Sequence, residues 1–192
     1  MIEIKKIFDS EEIAKLSSLI GEIWDHYGSI ESIAPGYMES PAYLSAGEMD
    51  LALKISASEV EIGDDFEIFT SIDVAAADGG LKAARKEGQV FFQGKGEVVR
   101  EVYIVKEVLH ETYQGTPTFE ANIDSGLAIV LESIVIGIVK RGFHGEDFVV
   151  SSAPTIELLG FYDSSREWDQ TLDLSHDFVR SLVQIGSIPT PK

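Results

Sequence analysis

Alternation of apolar and polar residues is cleanest between residues 50 and 74. Leu51, Leu53 and Ile55 alternate with Asp50, Ala52 and Lys54; beyond Gly63-Asp64, Phe66, Ile68, Thr70, Ile72 and Val74 share one face, and Asp65, Glu67, Phe69, Ser71 and Asp73 the other. Successive strand side chains point to opposite faces, so this pattern predicts two strands joined by a turn at Gly63-Asp64. The phase slips once. Val60 and Ile62 are the next apolar pair after Ile55, which predicts a bulge or bend near Ser56–Ser58.

A period near 3.6 runs through residues 10–27, where Ile13, Leu16, Leu19, Ile20, Ile23, Trp24 and Tyr27 follow helical spacing. Ser10 as cap, Glu11 and Glu12 in the first turn and Gly28 as stop complete the expectation of an amphipathic N-terminal helix. The least polar run, Leu127–Val139, carries one charge, at Glu132. Asp124 or Ser125 is placed to cap it, Lys140 and Arg141 suit a last turn, and Gly142 a stop. Seven of its residues are Ile or Val, which suits a strand. Its length exceeds the about 4–8 residues of a buried strand, so the expectation is a central apolar helix.

The remaining segments are shorter. Ile2 and Ile4 suggest an edge strand, and residues 28–48 a loop punctuated by Pro35, Gly36, Pro41 and Gly47, with one helical turn at Ser40-Pro41. Residues 81–88 form a basic island, as a helical turn or a loop. Residues 89–93 and 97–113 read as strands, although Val98, Val102, Val105 and Leu109 also fit a helical stripe. Strands at 147–152 and 156–162, a polar loop at 163–170, a short strand at 172–174 and a helix at 176–185 precede a loose tail, 187–192. The fold class expected is α+β: a single domain over 1–192, mostly antiparallel sheet packed against the N-terminal helix and the central apolar helix.

Composition narrows the function classes. The chain has 192 residues and no cysteine, which removes disulfides, thiolate metal sites and a cysteine nucleophile. The N-terminus lacks the apolar core of a secretory signal, and the apolar run falls short of the about 20 residues of a membrane span. A cytoplasmic protein without a membrane partner is the expectation. Fifteen Lys and Arg against 33 Asp and Glu give a net charge of −18. That balance argues against binding nucleic acid or anionic lipid through phosphates and steers a basic protein partner toward the chain.

The negative charge is densest in residues 49–75, with seven acids and one base. If Gly63-Asp64 turns the chain, Glu59 and Glu61 lie opposite Asp65 and Glu67, on the side away from Val60, Ile62, Phe66 and Ile68. Asp73 and Phe69 extend that acidic face. Opposed carboxylates repel by roughly 0.2–1 kcal/mol per pair, so local stability gains nothing from them. A partner bearing Lys and Arg would relieve the repulsion, with Phe69 as an apolar anchor. The alternatives are a solvated sheet face that resists edge-to-edge aggregation and a divalent-cation site, for which no EF-hand spacing is present.

Two further clusters stand out. Phe161–Asp169 holds aromatics and acids, as an interface or sugar site does, and equally as a loop pinned by one aromatic does. His144 with Glu146 and Asp147 has the residue types of a metal or acid–base site but lies in a Gly-rich turn. The histidines lack ligand spacing, and no nucleophile elbow, phosphate loop or dinucleotide fingerprint occurs. Neither a cofactor nor a catalytic or metal-binding residue is assigned, and the reading leans away from an enzyme.

The functional expectation is therefore protein binding through Glu59, Glu61, Asp65, Glu67, Phe69 and Asp73. An inhibitor or immunity-type protein neutralising a basic toxin or nuclease is its concrete form. The alternatives are an enzyme or small-ligand domain with a pocket between sheet and central helix, and a structural or assembly subunit.

Overall fold

A computed structural model describes residues 1–31, 36–62, 65–168 and 173–188. Its elements run β1 (Ile2–Lys6), α1 (Ser10–Ser17), β2 (Trp24–Ser29), β3 (Tyr37–Glu39), β4 (Ala42–Ala46), β5 (Met49–Ile62), β6 (Asp65–Ala76), α2 (Gly80–Glu87), β7 (Gln89–Phe91), β8 (Glu101–Tyr113), β9 (Thr116–Val130), β10 (Val135–Lys140), β11 (Asp147–Ala153) and β12 (Leu174–Ser187). One sheet has the order β12-β8-β9-β10-β11-β3, with β1 pairing parallel to β9; the other has the order β6-β5-β4-β2-β7. The fold is thus mostly antiparallel sheet with two short helices, rather than a sheet backed by two packing helices. Among the described residues no helix is long and apolar enough to cross a membrane.

Three expected helices give way, each for a physical reason. The apolar run is two strands. Val130 pairs with Val135 across a turn holding Glu132 and Ser133, the two polar residues that a helix would have carried in its middle. Glu97 closes that turn by accepting from the Ser133 amide and hydroxyl, and Arg100 pairs with Glu132. Two Ile/Val-rich strands of ordinary length satisfy the β-branched composition better than one helix.

The N-terminal helix stops at Ser17. Its cap is Asp9, which accepts from the Glu11 and Glu12 amides while Glu12 accepts from the Asp9 amide. Trp24 and Tyr27, which extended the helical stripe, belong to β2. The expected helix at 176–185 is β12, laid along β8 from Tyr113 to Glu101. There Phe178, Arg180 and Leu182 turn inward and Val179 outward.

The expected loop over 28–48 contains β3 and β4, its prolines and glycines marking turns between short strands. Ser40-Pro41 is a cis peptide between those strands instead of a helical turn. The expected strand at 156–162 is a short 3-10 turn at Ile156–Leu158 followed by a loop. The basic island is α2, and 101–113 is strand. The Gly63-Asp64 turn, the segment 169–172 and the tail from 189 lie outside the described residues.

The core is divided in two. Between the sheets pack Leu16, Trp24, Leu44, Leu51, Leu53, Ile72, Val102, Ile104, Leu127, Ile129 and Ile138. A second cluster joins Phe69, Leu109, Phe119, Ala121, Ile123 and Phe143, with Val60, Ile62 and Trp168 against it. The same strands feed both clusters from opposite faces. β8 gives even-numbered Val102 and Ile104 to the first and odd-numbered Leu109 to the second. β9 makes the exchange through a bulge, where Lys106 pairs with Asp124 and Val105 with Gly126, leaving Ser125 over. The Ser125 hydroxyl donates to the Val105 carbonyl at 3.2 Å. Gly126 lets β10 close in, since a Cβ there would lie 2.3 Å from the Ile138 oxygen.

Candidate functional site

The β5–β6 hairpin makes the same change of face without a bulge. Its ladder is unbroken from Leu51↔Ala76 to Ile62↔Asp65. The slip of apolar phase near Ser56–Ser58 therefore marks no bulge; it marks where the covered side changes. Near its base the hairpin buries Leu51, Leu53, Ile72 and Val74 against the other sheet. Farther out it packs Val60, Ile62 and Phe69, from the opposite face, on the second cluster. The face it relinquishes carries Glu59 and Glu61 on β5, and Ile68 and Phe66 directly across from them on β6.

Neighbouring elements hold the strand that ends this sheet. On α1, Glu12 accepts from the Val74 amide at 2.8 Å, and Lys15 donates to the Val74 carbonyl. Farther along, the Thr70 amide and hydroxyl both donate to the Phe143 carbonyl, at 2.9 and 2.8 Å. Buried Lys140 donates to the Thr70 hydroxyl at 3.2 Å. The hairpin is anchored near its base at Val74 and again at Thr70, opposite Ala57, where its buried face switches.

This register corrects the expected acidic face. Each acid is opposed by an apolar or basic residue: Glu59 by Ile68, Glu61 by Phe66, Asp65 by Ile62, Glu67 by Val60 and Asp73 by Lys54. No two carboxylates of the hairpin stand directly opposite, so the expected cross-strand repulsion does not arise in the ladder. Glu59 and Glu61 are exposed on the relinquished face, while Glu67 is half-buried on the other. Asp73 is exposed on that other face and accepts from the Ser56 hydroxyl at 2.5 Å. Asp65 is placed by its backbone alone.

Phe69 is not an exposed anchor. It is fully buried, stacked on Trp168 at 6.2 Å and edge-on to Phe119 and Phe143. The exposed aromatic is Phe66, at 66% exposure, beside Ile68 at 47%. Both stood in the predicted apolar face and were assigned inward. The signal that would have found them is the phase slip itself: a strand that buries Val60 and Ile62 must expose what faces the other way.

The other clusters resolve as follows. Trp168 closes the second core, with His176 and His144 each 5.1 Å from its ring, so its loop is pinned to the sheet. Arg180 helps pin it: its Nε donates to Glu107 at 3.0 Å, and the Ser164 hydroxyl donates to the same Glu107 oxygen at 3.0 Å. Glu107 is fully buried. His144, Glu146 and Asp147 line a polar cleft of about 710 Å³ with Glu39, Arg141 and the β5 residues Ile55 and Ala57. Asp147 pairs with Arg141 at 2.9 Å. The Glu39 carboxyl shares a hydrogen bond with Glu31, which lifts it above the ordinary carboxylate range; burial and the charges of Glu31 and Asp147 add to this. Among the described residues no group of three His, Asp or Glu is placed to hold a metal ion.

With no central helix, a pocket between it and the sheet does not exist. Compared with known protein families, curated proteins and solved structures, the chain matches none.

Proposed function

We propose that the protein binds another protein through the relinquished face of the β5–β6 hairpin, and that the partner is basic. One observation carries this reading: Phe66 and Ile68 are exposed side by side on the β5–β6 hairpin, with Glu59 and Glu61 directly across the ladder. Large apolar side chains grouped on a surface mark an interaction site more often than singly scattered ones do. An apolar centre rimmed by charge is the anatomy of a transient interface. The rim fits Lys and Arg, and the −18 net charge steers such a partner in.

The polar cleft extends the same face, because Ile55 and Ala57 share the odd-numbered side of β5 with Glu59 and Glu61. Its acids, Glu39, Glu146 and Asp147, add to the negative field along that side. An inhibitor of a basic toxin or nuclease, acting in the cytoplasm, is the form of partner binding that this charge favours. Affinity capture at rising salt tests it. A basic protein should be retained by the wild type, released as salt rises, and lost in the Glu59→Lys/Glu61→Lys double variant. Retention that ignores both salt and charge reversal would overturn the reading.

A second reading is an assembly subunit. It rests on β12, a 14-residue strand that ends its sheet and exposes Val179 at 54%. Such an edge is a template for pairing with another chain. Light scattering over a wide concentration range distinguishes the two: self-association supports assembly, and a constant monomer rejects it.

A further inference from the structure

β7, at the edge of its sheet opposite β6, and β3 with β11 of the other sheet bound a cavity of about 440 Å³. That lies within the roughly 300–1,000 Å³ typical of small-molecule sites. Tyr27 and Phe91 supply an aromatic wall, their rings stacked on each other with centroids 5.2 Å apart at 19°. Tyr37 and Met38 belong to the opposite side. Among the described lining residues there is no Asp, Glu, Lys or Arg.

The polar groups of the lining are held in place by one another. The Tyr27 hydroxyl donates to Gln93 Oε1 at 2.7 Å, Gln93 Nε2 donates to the Ser152 hydroxyl at 3.3 Å, and Trp24 Nε1 donates to the Gln93 carbonyl at 2.9 Å. Burial pushes the Tyr27 phenol up to about 12, so it stays protonated and keeps its role as donor to Gln93. This chain of bonds uses the acceptor of the Gln93 amide and one of its two N–H groups. The second N–H remains, as does the Ser152 O–H. The cavity therefore offers hydrogen-bond donors beside an aromatic wall. Lys95, whose ammonium lies over the Phe92 ring, is paired with Asp25 at 2.8 Å rather than held for an anionic ligand, and the neighbouring hollow, which shares Gln93 and Ser152, adds Glu97.

The geometry points to a binding site for an uncharged, planar aromatic molecule carrying a hydrogen-bond acceptor, seated on the Tyr27–Phe91 wall with its acceptor toward Gln93 and Ser152. This site is separate from the hairpin and does not depend on the hairpin's function.

The probe is 2-acetyl-6-(dimethylamino)naphthalene, an uncharged aryl ketone whose emission shifts to the blue in apolar surroundings. Its counterpart is 6-(dimethylamino)naphthalene-2-carboxylate, the same ring system with an anion. The ketone is expected to bind saturably at one molecule per chain, and the carboxylate at least about tenfold more weakly. Ser152 is exposed, so Ser152→Trp should fold and fill the cavity, weakening the ketone by about tenfold or more. Ser152→Ala, which removes one donor and no bulk, should weaken it by about threefold. Phe66→Ser should bind the ketone as the wild type does. Absence of saturable binding, equal binding of ketone and carboxylate, full binding by folded Ser152→Trp, or loss in Phe66→Ser would each overturn the assignment.

Discussion

Glu61 and Phe66 are directly opposed across the β5–β6 ladder, on a face that is exposed among the described residues. The same strands closer to their base bury that face, through Leu53 and Ile72. The hairpin thus exchanges its buried side as it passes from the first core cluster to the second, and Phe66 and Ile68 are left in solvent beside two carboxylates.

Phe66 and Phe69 are three residues apart and should respond in opposite ways to truncation. Phe69 is closed in by three aromatic rings and a histidine, so Phe69→Ala should cost about 3–5 kcal/mol. Phe66→Ser removes exposed surface and should change stability by no more than about 0.5 kcal/mol. Urea denaturation of the two variants reads both values, and equal losses would contradict the change of face.

Arg180 should matter to folding more than its position on an outer strand suggests. Its partner Glu107 is fully buried, and the second carboxylate oxygen has no hydrogen-bond partner among the described residues. Arg180→Ala leaves that charge uncompensated and should cost about 3–5 kcal/mol. Adding Glu107→Gln should recover part of the loss, because the amide needs no counter-charge. Thermal unfolding of the single and double variants measures the recovery.

His26 gives the fold a dependence on pH. It is buried on β2 with Asp25 at its Nδ1 and Arg85 donating to its Nε2 at 3.3 Å, an arrangement of the neutral ring. Burial lowers its pKa, and the Arg85 charge lowers it further, against the opposing pull of Asp25. The unfolded chain therefore takes up a proton more readily than the folded one. The contribution is full above the unfolded value of about 6.5 and is lost as pH falls from there through the lower folded value. The melting temperature of the wild type should fall from pH 7.5 to 5.5 more steeply than that of His26→Gln, scanned in steps of half a pH unit.

Gly126 is needed for the approach of β10 to the bulge. A methyl group there meets the backbone of Ile138 and Val139, which has no side chain to swing aside. Gly126→Ala should destabilise by about 3 kcal/mol, and hydrogen exchange should show the β9–β10 ladder opening first.

The strands of the hairpin were legible because alternation reports strand directly. Which side of each strand is buried was not. Alternation gives two faces, and the choice between them depends on the layer beneath, which here changes along the strand. Phe66 and Phe69 were exchanged for that reason, and with them the composition of the candidate surface. The apolar run misled differently. Length favoured a helix only if Glu132 and Ser133 were interruptions of one element, whereas they are the turn between two. Trp24 and Tyr27 extended a helical stripe by coincidence of spacing, since a strand that follows closely on a helix inherits its count.

The central claim is that the face of Glu59, Glu61, Phe66 and Ile68 meets a basic protein. Site-specific photo-cross-linking in the cells that make this protein tests it most directly, with the cross-linker placed at Phe66, at Ile68, or at exposed Val179 as control. The expected result is one cross-linked basic protein from positions 66 and 68, none from 179, and loss of the adduct when Glu59→Lys and Glu61→Lys are added. No adduct at 66 and 68, or the same adducts at all three positions, would contradict the account.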